Sequence, residues 1–501
     1  MSVSGPVELP DVGQDFSSGN HESELTFRDP AGQLRLTARH ALRRIYPAAV
    51  DATMEFLASP LCEALEKSGD LIPSKIANAS EHPCVAPGEL WLEHPRIQTI
   101  SYPWEWTPGQ WRAAAELTLR IAREAADAGW ILKDATPLNI LFVGTRPMLV
   151  DVLSFERRDP QSSVWLAYGQ FVRTFLLPLV AARYLSWPLE ATIFARDGYE
   201  PGQIYRALSF WQRLTPNLLD VVTLAALLER PSGKRQGSSS KPRSVSNPEL
   251  TAHILQKRIA RLGKQIRRTA KLRRGGEWSE YAQSATHYRP SDVFDKQEFV
   301  KNVLQRHGPQ RVLDIGANTG TYSLMAADAG AEVVALDADE AALETLWTAA
   351  SRHKRPITAL VANIARPTPA AGWRNREHLS LLDRLAGEFD MVLMLAVIHH
   401  LILREQIPLA HIAELCALLT RSWLLLEWVP PSDPMFQEWL RGRDDLYGHL
   451  TEEDLERAFS PFFTVSDRNE LGNGRVLFLF RKIPVEDTAA VTDDARAEAS
   501  R

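Results

Sequence analysis

Cysteine is scarce in this chain: three in 501 residues, Cys62, Cys84 and Cys416. The number is odd and the spacing wide. Neither a disulfide framework nor a zinc knuckle can be built from it, and a reducing cytoplasm is the expected home. An excess of one charge is also missing. Lys+Arg 57 against Asp+Glu 62 leaves a net charge of −5, so the whole chain has no cationic field of the kind that gathers nucleic acid. No apolar run predicts a membrane span. The longest, near Phe175–Leu185, is broken by Pro178 and Arg183 and reaches about half the required length. Met1–Ser18 lacks the basic start and apolar stretch of a secretory signal. What is present is ordinary globular material, 45% hydrophobic and 24% charged. At about 150 residues per domain the length predicts roughly three units.

Composition divides the chain. Residues 1–24 are polar and predict a disordered lead. Residues 25–230 alternate apolar clusters with turns. In Pro231–Pro248, eleven of eighteen residues are Ser, Pro or Gly, which predicts a flexible linker. Residues 249–291 begin with a helix over 250–274. Its Lys257–Arg274 stretch holds nine Lys/Arg in eighteen residues and no acid, beside a partial apolar stripe. Trp278, Tyr281 and Tyr288 follow and could form a lid. Residues 292–482 alternate strand and helix, the pattern of a parallel α/β sheet. Residues 483–501 predict a disordered tail.

The segment Arg311–Gly320 reads R-V-L-D-I-G-A-N-T-G. An apolar strand, Val312–Ile315, runs into a loop bounded by Gly316 and Gly320, and a helix follows over Tyr322–Ala329. Gly316 lets backbone approach a ligand and Gly320 permits tight helix packing. Thr319 is expected to cap the helix, whose first N–H groups lack partners. The next strand, Glu332–Leu336, ends in Asp337, 23 residues after Asp314, where an acid can hold a ribose diol. The alternative is a tight strand-to-helix turn with no ligand.

The dinucleotide fingerprint is G-x-G-x-x-G, whereas this loop is D-x-G-x-N-x-G. It resembles motif I of the class I S-adenosylmethionine (SAM) methyltransferases, over roughly residues 292–482. The resemblance implies a Rossmann-like sheet with helices on both faces and SAM as cofactor. Asp314 and the Gly316–Gly320 loop, Asn318 included, would face the methionine part. Asp337 would hold the ribose, and Asn363, after the strand Ile357–Ala362, would lie by the adenine.

In an open α/β sheet, ligands sit outside the carboxyl ends of the strands. The fourth strand, Asp390–Val397, leads into His399 and His400, which could take a proton from an acceptor hydroxyl. Neighbours on a strand point to opposite sides, so one should face the cleft, with His400 preferred. The alternative is that they cap the strand by hydrogen bonding. Glu427 and Asp433, around the end of the fifth strand (Ser422–Glu427), are candidate polar groups for the acceptor or partners in a salt bridge. No Asn/Asp-Pro-Pro-aromatic follows the fourth strand, no cysteine stands at its end, and no acidic cluster suggests a metal site. A hydroxyl acceptor is what remains.

The first half carries a fainter pattern. After a helix over 110–128 come Asp134, then Asn139 five residues later, an apolar strand, a turn and Asp151. This resembles the catalytic and metal loops of protein and aminoglycoside kinases, and implies an α+β kinase-like accessory domain over 25–230. Leu132 stands where His is expected, and neither a glycine-rich loop nor a lysine in an apolar strand precedes it. Phosphoryl transfer is therefore not expected. Thr26–Gly32, Ser101–Trp106, Leu132–Pro137, Leu395–Leu401 and Glu427–Pro434 together resemble a bacterial two-part family related to nodulation-factor sugar O-methyltransferases. That resemblance implies a saccharide or other small acceptor. Two other readings stay open: a nucleic-acid or protein methyltransferase docking through the basic helix, and a SAM-binding module without turnover. Oligomeric state is not legible.

Overall fold

The computed structural model describes residues 28–86, 88–228, 247–270, 290–440 and 447–484. The polar lead, the linker up to residue 246, the aromatic residues expected to form a lid and the tail from residue 485 lie outside them. The chain forms two compact units.

In the first, residues 28–51 and 73–96, four strands pair antiparallel in the order β1-β2-β4-β3: β1 (Gly32–Leu36), β2 (His40–Ile45), β3 (Lys75–Ile76) and β4 (Leu90–Pro95). Thr37 closes the β1–β2 hairpin, its Oγ1 accepting from His40 N and donating to His40 O, both at 3.0 Å. Leu42, Ile45, Ala77, Val85, Trp91 and Leu92 are buried in this unit, and Cys84 packs beside the cluster of Leu42, Ala77, Val85 and Trp91.

The second unit holds residues 52–72 and everything described from 97 onward. It opens as an α+β region. The antiparallel pairs are β5 (Trp130–Leu132) with β8 (Phe155–Arg157), and β6 (Ile140–Val143) with β7 (Arg146–Leu149). Their neighbour is the helix Pro108–Asp127. Thr107 and Gln110 cap it reciprocally, with Pro108 at its first position. Trp111, Ala114, Leu117 and Ile121 recur at helical spacing and are buried.

The basic stretch forms the helix Pro248–Thr269 and packs against Pro108–Asp127 through Leu255, Ile259, Leu262 and Ile266. The apolar stripe selects the nearest apolar helix, and the arginines meet local partners. Arg261 pairs with Asp220 at 2.7 Å and Arg267 with Glu116 at 3.5 Å.

The remaining strands are β9 (Arg311–Ile315), β10 (Glu332–Asp337), β11 (Ile357–Val361), β12 (Phe389–Met394), β13 (Thr420–Trp428), β14 (Phe463–Glu470) and β15 (Val476–Lys482). They form one sheet, β11-β10-β9-β12-β13-β15-β14, parallel except for β15, which runs antiparallel to both neighbours. This is a Rossmann-like arrangement with helices on both faces. Buried side chains form a cluster on each side of it, which is why strands such as Leu424–Leu426 are apolar without alternation. Strand order reverses between β9 and β12, so the crevice at their carboxyl ends is the place for a ligand.

The two parts of this unit are joined by buried polar contacts. Gln110 Nε2 donates to Ala359 O in β11 at 3.0 Å, and Gly109 N donates to Glu344 Oε2 at 2.8 Å. Among the described residues, no helix is long and apolar enough to cross a membrane.

Candidate active site

A cavity of about 380 Å³ opens at the strand-order reversal, in the range of small-molecule sites. The loop after β9 forms one wall. Gly316 has φ +74° and Asn318 φ +49°, left-handed backbone that lets the chain turn back within two residues. A Cβ on Gly316 would come within 2.3 Å of Val397 in the facing loop after β12, so glycine is required where the two walls approach. Gly320, φ +88°, is the N-cap of the helix Thr321–Asp328, and a Cβ there would meet Leu346 at 2.1 Å. No side chain caps that helix, which corrects the role expected of Thr319. The Thr319 N–H is instead taken by Asn318 Oδ1 at 2.6 Å.

Asp337 lines the cavity at the end of β10. It accepts from Asn318 N at 2.8 Å and Asp339 N at 2.9 Å, so it ties the two loops together. Burial pushes its carboxyl above the usual range, against the lowering effect of those N–H donors. Asn363 lines the cavity after β11, and its Oδ1 accepts from Ala365 N at 2.9 Å.

Asp314 is not on the cavity wall. It sits inside β9, 2% exposed, bonded by Ser323 Oγ at 2.6 Å, and burial raises its pKa to about 6. The resemblance to motif I implied that it faces the methionine part of SAM; the strand places its carboxylate in the packing between sheet and helix.

The histidine pair is not on a strand. β12 ends at Met394, Ala396 takes φ +59°, and a short helix, Ile398–Leu403, begins. Helical neighbours are separated by about 100° rather than 180°. His400 lines the cavity, while His399 is 3% exposed and joins the core. The two ring centroids are 4.0 Å apart, with the planes tilted by 38°. Burial, then the charges of Arg404 and Arg475, lowers His400 to about 4, and burial above all holds His399 well below the usual imidazole range.

Glu427 is likewise off the wall. It is fully buried, bonded to Lys296 Nζ at 2.5 Å and to Arg475 at 3.3 Å, and Arg475 holds Asp433 with two nitrogens at 2.7 and 3.2 Å. Both acids are thus salt-bridge partners. Lys296 itself lines the cavity, over the Tyr322 ring at 4.9 Å. The motif reading missed Lys296, Tyr322, Arg404 and Glu405, all on the wall. Lys296 lies on a helix before the glycine loop, and no local spacing marks it.

In the α+β region, Asn139 Nδ2 donates to Ser154 Oγ at 3.2 Å, and Ser154 Oγ donates to Asp151 Oδ2 at 2.5 Å. Asp151 also caps the turn Val152–Ser154. Asp134 lies between β5 and the turn Pro137–Asn139.

Residues 313–420 match the model of a methyltransferase domain. Residues 313–420 thus carry a methyltransferase domain, and its methyl donor is SAM. The cavity fits that donor. Its volume suits a small molecule, Gly316 keeps one wall free of side chain, and a carboxylate stands at the end of the second strand.

Nodulation protein NoeA of Rhizobium meliloti (strain 1021) is 28% identical over 467 residues, 91% of this chain and 95% of that protein. Two solved structures superpose on part of the chain. Magnesium protoporphyrin IX methyltransferase (ChlM) from Synechocystis PCC 6803, with bound SAH, is 18% identical and has a TM-score of 0.29. It covers 38% of this chain and 84% of its own. The N-methyltransferase NodS from Bradyrhizobium japonicum WM9 is 14% identical and has a TM-score of 0.28, with 39% and 98% covered.

Proposed function

We propose that this methyltransferase domain transfers the methyl group of SAM to a hydroxyl of a small acceptor, a sugar by its family resemblance. His400 would act as the base. The observation that carries this reading is an imidazole kept neutral on the wall of the cavity, across from the glycine loop. Bound SAM supplies an activated methyl on a good leaving group. The protein's residues then have to align the acceptor and accept its proton, and alignment alone can be worth about 7–11 kcal/mol. Asp337 would hold the ribose hydroxyls, Asn363 would lie by the adenine, and the Gly316–Asn318 backbone would line the methionine end. Asp220 and Glu116, which pair with Arg261 and Arg267 from neighbouring helices, argue against docking of nucleic acid on the basic helix.

Incubation with methyl-labelled SAM and a panel of saccharides tests the reading. Label recovered in a methyl ether is expected. Label recovered on nitrogen or in RNA, or tight cofactor binding with no transfer, would overturn it.

Asp337→Ala should weaken S-adenosylhomocysteine binding by about 1.5–3 kcal/mol, the scale for hydrogen bonds to a charged group. Calorimetric titration measures this, and an unchanged affinity removes the ribose assignment.

The pH dependence follows from His400. A base works deprotonated, and its pKa here lies near 4 rather than 6.5. The acid limb of kcat/KM should therefore fall as pH drops through about 4, with no histidine step between pH 6 and 8. The same shift has a stability sign. The unfolded chain binds the proton more readily, so this contribution is lost as pH falls from about 6.5 toward 4. A limb near 6.5 that His400→Gln leaves in place would assign the base elsewhere.

A further inference from the structure

We propose that His40, His82 and Glu93 form a binding site for a divalent metal ion of the zinc class, in the sheet unit of residues 28–51 and 73–96. The three side chains come from three places: the start of β2, the loop between β3 and β4, and β4 itself. One ligand atom from each lies within 4.8 Å of the other two. His82 Nε2 is 2.7 Å from Glu93 Oε2, and His40 Nε2 is 3.6 Å from Glu93 Oε1. The two rings meet edge to face at 5.5 Å. Two imidazoles and one carboxylate are a donor set of borderline-soft nitrogen and hard oxygen, suited to zinc, with a fourth position left for water. His40 is partly exposed, so an ion has a way in. Lys75 Nζ, 4.0 Å from Glu93 Oε1, sits on a largely exposed side chain that can swing into solvent.

The fold supplies an independent reason for an ion here. Among the described residues of the connection between β3 and β4, the buried hydrophobic side chains are Ala77 and Val85, too little apolar packing to fix so long a segment alone. His82 belongs to the irregular segment between β3 and β4, while its partners belong to the sheet. An ion bound to all three would fasten that segment to the strands, and its binding energy would add to the stability of the unit.

The experiment uses the full chain, stripped with chelator and titrated with Zn²⁺ alone by calorimetry and with Co²⁺ alone by visible absorption. One equivalent of Zn²⁺ is expected to bind, with a four-coordinate cobalt spectrum and increased resistance of the 77–89 segment to proteolysis. Glu93→Gln and His82→Gln, checked for fold by circular dichroism, are expected to lower the affinity roughly tenfold or more. An aquo-ion cobalt spectrum with the intact chain would overturn the proposal without reference to any variant. So would stoichiometric binding that both variants retain.

Discussion

Glu427→Ala is expected to lower stability by about 3–5 kcal/mol, the cost of breaking a buried ion pair from one side. It should also weaken S-adenosylhomocysteine binding. Glu427 is fully buried at the end of β13, and its carboxylate is the 2.5 Å partner of Lys296. Arg475 keeps its two bonds to Asp433 when Glu427 is removed, so the larger loss falls on Lys296. Lys296 is 5% exposed, and its side chain lines the cavity, so its ammonium cannot escape to water without deforming the wall. Glu427→Gln, which keeps the shape and one acceptor, should cost less. Urea unfolding gives the first quantity and calorimetry the second. A stable Glu427→Ala protein with unchanged cofactor affinity would show that the network is not coupled to the cavity.

Glu105→Ala should produce a loss of similar size, about 3–5 kcal/mol, by the same mechanism at a different junction. Glu105 lies in the Ser101–Trp106 segment and is fully buried. Its carboxylate meets the Arg384 guanidinium through both oxygens and accepts from Tyr102 N at 3.1 Å. Arg384 also donates to Ile100 O and lies 4.6 Å above the Tyr102 ring. Leu379 N donates to Tyr102 Oη at 3.0 Å. These contacts fix the α+β region onto the methyltransferase sheet. Removing the acid leaves a buried guanidinium lacking its counter-charge. Replacing both partners with apolar residues, Glu105→Leu with Arg384→Met, should recover most of the loss. Thermal unfolding of both variants beside the parent chain checks this; if the double variant is as unstable as the single one, packing rather than charge is responsible.

Much of the sheet was legible from local pattern. β9, the glycine loop and β10 are predicted within a residue or two, because a strand buried on both faces leaves a run of Val, Leu and Ile that turn residues punctuate. Gly316, Asn318, Asp337, Asn363 and His400, which lie after successive strands in the sequence, all line the same cavity. The histidine helix was not legible. I-H-H-L-I-L alternates poorly for either period, and the left-handed turn at Ala396 that ends β12 has no glycine or asparagine to announce it.

The sequence alone determined the order of strands and helices in the C-terminal half, the glycine positions that let two loops approach, and the acid that closes the second strand. These depend on residues close together in the chain, where backbone sterics and hydrophobic period act. Tertiary structure decided which polar residues reach the cavity. Asp314 and Glu427 turn into ion-paired or hydrogen-bonded packing, while Lys296 is carried onto the wall from a helix that precedes the motif. It also decided that the basic helix lies against Pro108–Asp127 and that Glu105 finds Arg384, 279 residues away. Such pairings follow from burial across the whole fold, since a charge removed from water takes whatever partner the packing brings within reach.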